Sequence, residues 1–274
     1  MSAPLVITSP ANPRLKALSA LRRRRVREEE GLTLVEGYEE LSLALEAGVV
    51  PRTLYVCPEL MADPVAQEHV AEHVAGLGGE VVQVGRVAFE RAAYREGPDG
   101  FLAVVPSVAR HCADLQVPAD ALLLVCEGVE KPGNLGAMLR TADAAGVDAV
   151  LAADPVTDWG NPNLVRASKG TVFSVPVAAD PTPVTLEWLA AHGIPVVAAT
   201  PDTGTEHTDI SFAGPVAITV GAEKEGLSER VLEAAAHRVR IPMVGRANSL
   251  NVATSSAIIL YEAVRQRRGA GSVP

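Results

Sequence analysis

From Ala121 onward the chain alternates short apolar runs with helical patterns, and that alternation sharply limits what it can fold into. The run from Ala121 to Val125 is apolar without interruption, as a strand covered on both faces must be. A helix follows from Leu135, with Leu135, Met138, Leu139 and Ala142 on one face. Beyond it the patterns predict strand 148–153, helix 162–170, strand 172–178, helix 183–191, strand 194–200, strand 215–220, helix 228–236, strand 238–242 and helix 252–267. Strands that alternate with helices in this way predict an α/β domain built on a parallel sheet with helices on both sides.

A smaller α/β block precedes it. A helix over 14–30 is opened by Asn12-Pro13 and closed by Gly31, and it is followed by strand 32–35, helix 38–47, strand 53–57, helix 65–77, strand 80–84 and strand 101–105. Residues 107–119 mix polar and apolar types between Pro106 and Pro118 and read as a linker. The expected organisation is a first domain over 1–106, a linker over 107–119, a second domain over 120–268 and a flexible tail over 269–274. Hydrophobic residues at 48% supply a sizeable core, but aromatics at 4% leave Val, Leu and Ala to fill it.

Three cysteines, Cys57, Cys112 and Cys126, are too few and too widely spaced for a disulfide framework or a zinc pattern, which fits a reducing cytoplasm. No apolar run is long enough to cross a membrane. The net charge of −9 disfavours a nucleic-acid partner until its distribution is considered. Up to residue 27 the chain carries Arg14, Lys16, Arg22, Arg23, Arg24, Arg25 and Arg27 and no acidic residue. A basic arm on an acidic body localises attraction for phosphate, although a solvated helix face facing Glu28-Glu29-Glu30 explains the same run.

Three polar turns each follow an apolar strand: Asn134-Leu-Gly136-Ala-Met-Leu-Arg140, Gly221-Ala-Glu223-Lys-Glu-Gly226-Leu227, and Ser249-Leu250-Asn251-Val252-Ala253 after Ile241-Pro242-Met243. Arg166-Ala167-Ser168 with Gly170 makes a fourth segment. In this order the segments resemble the SpoU (TrmH) family of RNA ribose 2′-O-methyltransferases in the knotted SPOUT superfamily. The resemblance covers roughly residues 30 to 268.

The resemblance implies a deep trefoil knot in the C-terminal domain, which periodicity alone does not reveal. It implies an N-terminal substrate-binding domain similar to ribosomal protein L30e. It also implies a homodimer and a methyl donor, S-adenosylmethionine, held by Ala199, Thr200, Gly221, Glu223, Ile241, Pro242, Met243, Ser249 and Leu250. Gly221 is then expected to let the backbone approach the adenosine, with Ile241 and Leu250 sandwiching the adenine; simple core packing of those two side chains is the alternative.

Asn134, Arg140, Glu223, Ser249 and Asn251 match the catalytic pocket. Asn134 is expected to cap a helix starting at Leu135, and Glu223 to orient Arg140 or Asn134. Asn251 fits a helix cap equally well. Arg140 is the expected catalytic cation. A guanidinium keeps its proton at neutral pH, so electrostatic stabilisation of the attacked hydroxyl is preferred to a base role, and an Arg snorkelling from a helix is the alternative. RNA contacts are expected at Arg22, Arg23, Arg24, Arg25, Arg140, Arg166 and Lys169, with ribosomal RNA as the expected substrate.

The same sequence admits a tRNA 2′-O-methyltransferase, a tRNA base methyltransferase of another knotted branch, or a non-catalytic RNA-binding or ribosome-assembly protein. His69-Val-Ala-Glu72-His73 matches the H-x-x-E-H zinc pattern but brings no third ligand, so no metal is expected. No G-x-G-x-x-G follows a strand, and no phosphate-binding G-x-x-x-x-G-K-[S/T] occurs.

Overall fold

The computed structural model describes residues 5–108 and 110–270, and the chain divides into two compact units. The first comprises Met1–Val108 together with Trp159–Ser174; the second comprises Ala109–Asp158 together with Val175–Pro274.

The elements of the first unit before the long excursion are β1 (Leu5–Ile7), α1 (Pro13–Ala20), α2 (Arg24–Glu30), β2 (Leu32–Glu36), α3 (Tyr38–Glu46), β3 (Thr53–Val56), α4 (Pro64–Gly76), β4 (Glu80–Val84), α5 (Arg86–Ala92) and β5 (Phe101–Pro106). Their five strands form one sheet in the order β1-β4-β3-β5-β2, with β1, β4 and β3 parallel and β5 antiparallel to both its neighbours. Leu15, Leu18 and Leu21 pack with Phe89, Val82 and Leu102 in its core. Asn12 caps α1, its side chain accepting from the Arg14 N–H with Pro13 in the first turn, and Gly31 closes α2 in the left-handed region at φ 63°.

The single helix expected over 14–30 is broken. Arg23 is extended (φ −88°, ψ 129°), and the buried Arg27 donates to the Leu21 and Arg22 carbonyls at 2.9 and 2.8 Å, satisfying the carbonyls that the break exposes. β1 and α5 were not expected from the sequence.

The remaining elements are β6 (Leu122–Glu127), α6 (Pro132–Ala145), β7 (Ala149–Ala153), α7 (Pro162–Ala167), β8 (Val177–Asp180), α8 (Thr182–Ala191), β9 (Val196–Ala199), β10 (Val216–Val220), α9 (Glu229–Ala234), β11 (Ala235–Val239) and α10 (Val252–Ala270). The segment carrying α7 folds with the first unit. Thr33 donates to the Gly160 carbonyl, Asn163 reaches the Tyr94 hydroxyl at 2.8 Å, and Gly170 lies so close to the Glu40 backbone that a Cβ would stand 3.0 Å from its carbonyl oxygen.

The second unit is a six-stranded, wholly parallel sheet in the order β11-β9-β10-β6-β7-β8, as the alternation predicts. The chain runs outward from β6 through β7 to β8, then returns to the other side of β6, where β10 inserts between β9 and β6. The strand order therefore switches direction between β6 and β10. Open parallel sheets bind ligands in the crevice beyond the carboxyl ends of their strands at such a point. α10 packs on α6 and β10, with the buried Ser256 hydroxyl 3.0 Å from the Met138 sulfur. Its last turns are tied down by Gln266, which bonds to the Phe212 N–H and the Ile210 carbonyl, and by Arg267, which reaches the Asp120 and Phe212 carbonyls.

Four local differences from expectation have physical causes. Residues 110–119, read as a linker, pack into the second unit: Cys112 and Leu115 are buried, and Asp180 takes the Cys112 N–H and the His111 ring. The strand expected over 172–178 begins only at Val177. Ser168, Thr171 and Ser174 each donate a hydroxyl to the carbonyl three residues back and hold that stretch in turns. The strand expected over 238–242 lies at 235–239, which leaves Ile241 to Met243 in a loop rather than on a strand end. The helix expected to stop at 267 continues through Ala270; of the expected tail, residues 271–274 lie outside those described.

Candidate active site

Three segments of the second unit, those that follow β6, β10 and β11, meet beyond the carboxyl ends of the strands. Lys131 precedes α6 and Asn134 lies in its first turn, and the loop after β10 carries Glu223. The Lys131 ammonium sits 2.5 Å from one Glu223 oxygen, and the Asn134 amide N–H donates to the other. Asn251 closes the cluster, donating to the Asn134 side-chain oxygen at 3.3 Å and reaching the same Glu223 oxygen at 3.5 Å. Its own side-chain oxygen accepts from the Ala253 N–H at 3.0 Å. Asn251 is thus a helix cap and a member of the cluster at once.

The Lys131 ammonium, chiefly, and the Asn134 amide hold Glu223 below the usual carboxylate range, against partial desolvation that pushes the other way. Glu223 is a carboxylate at neutral pH.

Glu127 secures the roots of this arrangement. It ends the otherwise apolar β6, is buried, and accepts from the Ser228 N–H at 2.7 Å, the Ser228 hydroxyl at 2.6 Å and the Thr182 hydroxyl at 3.0 Å. Ser228 follows the Glu223 loop directly and caps α9. One buried carboxylate therefore ties the start of the segment after β6 to the end of the loop after β10.

The sequence-predicted residues fall into place unevenly. Asn134 lies in the first turn of α6, which begins at Pro132 with Lys131 as its cap, so Asn134 does not cap that helix as expected. Glu223 bonds Asn134 and not Arg140. Arg140 is exposed on α6, and its guanidinium has no hydrogen-bond or ion-pair partner among the described residues. Ser249 is exposed beside the cluster in sequence and bonds to none of its members. Ala199, Thr200, Gly221 and the 241–243 segment follow the adjacent strands β9, β10 and β11, and the Thr200 N–H donates to the Val239 carbonyl across that edge.

Gly221 has a reason to be glycine besides the one expected. A Cβ there would lie 2.2 Å from the Gly226 backbone and 2.5 Å from the Leu227 nitrogen. The turn carrying Glu223 folds directly over it, closed by the Gly226 N–H on the Ala222 carbonyl, with Gly226 at φ 71°. Nor do Ile241 and Leu250 pack in the core: Ile241 is half-buried, and Leu250 and Met243 are each 37% exposed. From Ile241 to Leu250 no backbone group is hydrogen-bonded within the described residues. An apolar loop with free backbone donors and acceptors beside the switch point fits a ligand with an aromatic base and polar edges, as S-adenosylmethionine has.

The predicted RNA contacts of the first unit are largely engaged elsewhere. Arg22 donates to the Ala92 and Ala93 carbonyls and stacks on Tyr94, while Arg24 and Arg25 pair with Glu28 and Glu29. Lys169 pairs with Glu39 at 2.9 Å. Arg23 and Arg166 are exposed. All three thiols are buried; burial pushes Cys126 up to about 12, and burial with the nearby Asp180 does the same to Cys112. Sequence reasoning missed Lys131 and Glu127. The signals were a Lys three residues before Asn134 and a lone carboxylate ending an apolar strand.

Comparison with known proteins agrees with this geometry. Residues 121–261 match the SpoU rRNA Methylase family, and residues 12–103 match an MRM3-like substrate binding domain. A 23S rRNA (uridine(2479)-2′-O)-methyltransferase of Streptomyces viridochromogenes is 33% identical, over 89% of this chain and 86% of that protein. A 23S rRNA (guanosine(2553)-2′-O)-methyltransferase of Bacillus subtilis is 28% identical, over 93% of this chain and 97% of that one. Among solved structures, an RNA 2′-O ribose methyltransferase shares 40% identity at a TM-score of 0.81, covering 96% of this chain and 99% of that one. An AdoMet-bound rRNA methyltransferase from Sinorhizobium meliloti shares 30% at 0.87, covering 95% and 97%.

Proposed function

The chain belongs to the SpoU rRNA methylase family, and on that premise we propose that Arg140, Asn134, Glu223, Ser249 and Asn251 are the residues with which it methylates ribosomal RNA. It is an S-adenosylmethionine-dependent RNA ribose 2′-O-methyltransferase. The observation that supports the assignment of Asn134, Glu223 and Asn251 is their cluster with Lys131, which joins three distant stretches of sequence at the switch point of the sheet.

S-adenosylmethionine supplies a methyl group already activated on a sulfonium. Ala199, Thr200, Gly221, Ile241 to Met243, Ser249 and Leu250 are the residues that would hold it, largely through backbone groups. What the chain must add is activation of the ribose 2′-hydroxyl, a poor nucleophile at neutral pH. Arg140 suits this because its guanidinium is unpaired among the described residues. It grips the RNA phosphate and stabilises the charge growing on the 2′-oxygen as the hydroxyl proton passes to solvent water. Asn134 lies in the first turn of the helix that presents Arg140 and is itself fixed by Glu223 and Asn251. Glu223 is a positioning carboxylate, and Lys131 lowers its pKa further.

Of the RNA contacts predicted for the first unit, Arg23 and Arg166 are exposed and without a side-chain partner among the described residues, and they remain available to RNA. A cytoplasmic location fits ribosomal RNA as substrate and the three free thiols; among the described residues no helix is long and apolar enough to cross a membrane. A trefoil knot fits the strand order, in which β10 inserts beside β6 after β9. A homodimer fits the exposed apolar side chains Met243, Val244 and Tyr261.

Methyl transfer from labelled donor to protein-free large-subunit ribosomal RNA, followed by nuclease digestion and mass spectrometry, should yield a 2′-O-methyl nucleoside. Arg140→Ala should lower turnover by about 10²–10³ while donor affinity by calorimetry is unchanged. Normal turnover in that variant would remove Arg140 from the mechanism.

A further inference from the structure

The charge inventory of the first unit points away from the arginine run and toward a groove. Arg24 and Arg25 face carboxylates of their own helix, and Arg27 is buried on carbonyls. Between α1 and α5 lies a groove of about 540 Å³ lined by Leu15, Lys16, Arg22, Glu90, Arg91 and Ala92. Lys16 and Arg91 are exposed and have no partner among the described residues. Arg22 is pinned by the Ala92 and Ala93 carbonyls at 2.8 and 2.7 Å and stacks on the Tyr94 ring, 5.2 Å from its centroid. Neutral carbonyls fix its position without cancelling its charge. The one carboxylate of the lining, Glu90, is already bound to Arg86 at 2.9 Å. The floor is mixed: Leu15 and Ala92 are nearly buried beneath it, and Pro10 and Ser19 complete the lining.

Three cations around a mixed floor, with the only carboxylate of the lining spoken for, match the chemistry of a nucleotide unit: a phosphate at the rim and a ribose on the floor. We propose that this groove binds the phosphodiester backbone of the RNA substrate, with Lys16 and Arg91 as the phosphate contacts and Arg22 as a fixed positive wall. The proposal rests on the reading of the first unit as the RNA-binding part and assigns that role to particular side chains.

The test is filter binding of the full chain to protein-free 23S ribosomal RNA, with the affinity followed from about 0.05 to about 0.2 M salt. Each phosphate contact contributes about 0.7–0.9 to the slope of log affinity against log salt, so Lys16→Gln/Arg91→Gln should flatten it by about 1.4–1.8 and Lys16→Gln alone by about half that. Arg52→Gln removes one equally exposed, unpaired charge elsewhere on the unit and should change the slope less than Lys16→Gln does. A wild-type thermal transition of the first unit, followed through the fluorescence of its buried Trp159, shows that each variant is folded. A wild-type slope in the double variant, or an equal loss in Arg52→Gln, overturns the groove. Absence of RNA binding by the wild-type chain at low salt overturns instead the RNA-binding reading of the unit, and the groove with it.

Discussion

Lys131 sets how far the pH must fall before the active-site cluster loses its negative charge. Its ammonium is the main reason Glu223 titrates below the usual carboxylate range. A carboxylate with a lowered folded-state pKa contributes its interaction above the ordinary range and loses it only as pH falls through the lowered value. The Glu223 bonds to Asn134 and Asn251 should therefore persist through neutral and mildly acidic pH. Replacing Lys131 by Met removes that stabilisation but leaves the partial desolvation, so Glu223 should titrate at higher pH than in the wild type. Carboxyl ¹³C NMR of the two proteins measures this directly; coincident titrations would show that Lys131 does not govern Glu223. The ion pair is well exposed on the Lys131 side, so little change in global stability is expected.

At the scale of elements, the turn over Gly221 separates two explanations for one glycine. If the residue served only close approach to a donor, Gly221→Ala would leave the donor-free protein intact. Here a Cβ would collide with the backbone of Gly226 and Leu227, so the turn must move and carry Glu223 with it. Donor-free Gly221→Ala should lose hydrogen-exchange protection at Gly226, lose stability of about 1–3 kcal/mol by overpacking, and lose most turnover. Wild-type exchange at Gly226 with donor affinity alone impaired would favour the donor explanation.

The same contrast sets how far the elements were legible in the sequence. β6, β7 and β10 are buried apolar runs, and their signal is plain. The Asn134, Glu223 and Asn251 turns stood out as polar residues ending such runs. β11 was displaced because Ala235-Ala236-His237-Arg238 has no apolar alternation. It is an edge strand held through its backbone on β9, with a bulge between Ala235 and His237. The break between α1 and α2 depends on Arg27 and Arg22 finding carbonyls, one pair of them 70 or more residues away, and helix periodicity carries no trace of such bonds.

For the whole molecule, the two compact units each have their own sheet and core, and only the second holds the residues proposed to bind the donor. A ligand that binds the native state alone stabilises what it binds, by about 2.7 kcal/mol at a concentration near 100 times its Kd. For a unit of this size that corresponds to a rise in Tm of about 5–11 °C. Differential scanning calorimetry should resolve two transitions, of which S-adenosylmethionine raises one and leaves the other in place. The raised transition should be assignable to the second unit, because its Trp188 lies there beside His192 while the other tryptophan, Trp159, is buried in the first, and single Trp→Phe variants separate the two fluorescence signals. A single transition that moves as a whole, coincident by heat and by both tryptophans, would mean that the units unfold as one cooperative body. The inserted segment Trp159–Ser174 gives that outcome a physical route, since the chain leaves the second unit and returns to it on either side of residues that fold with the first.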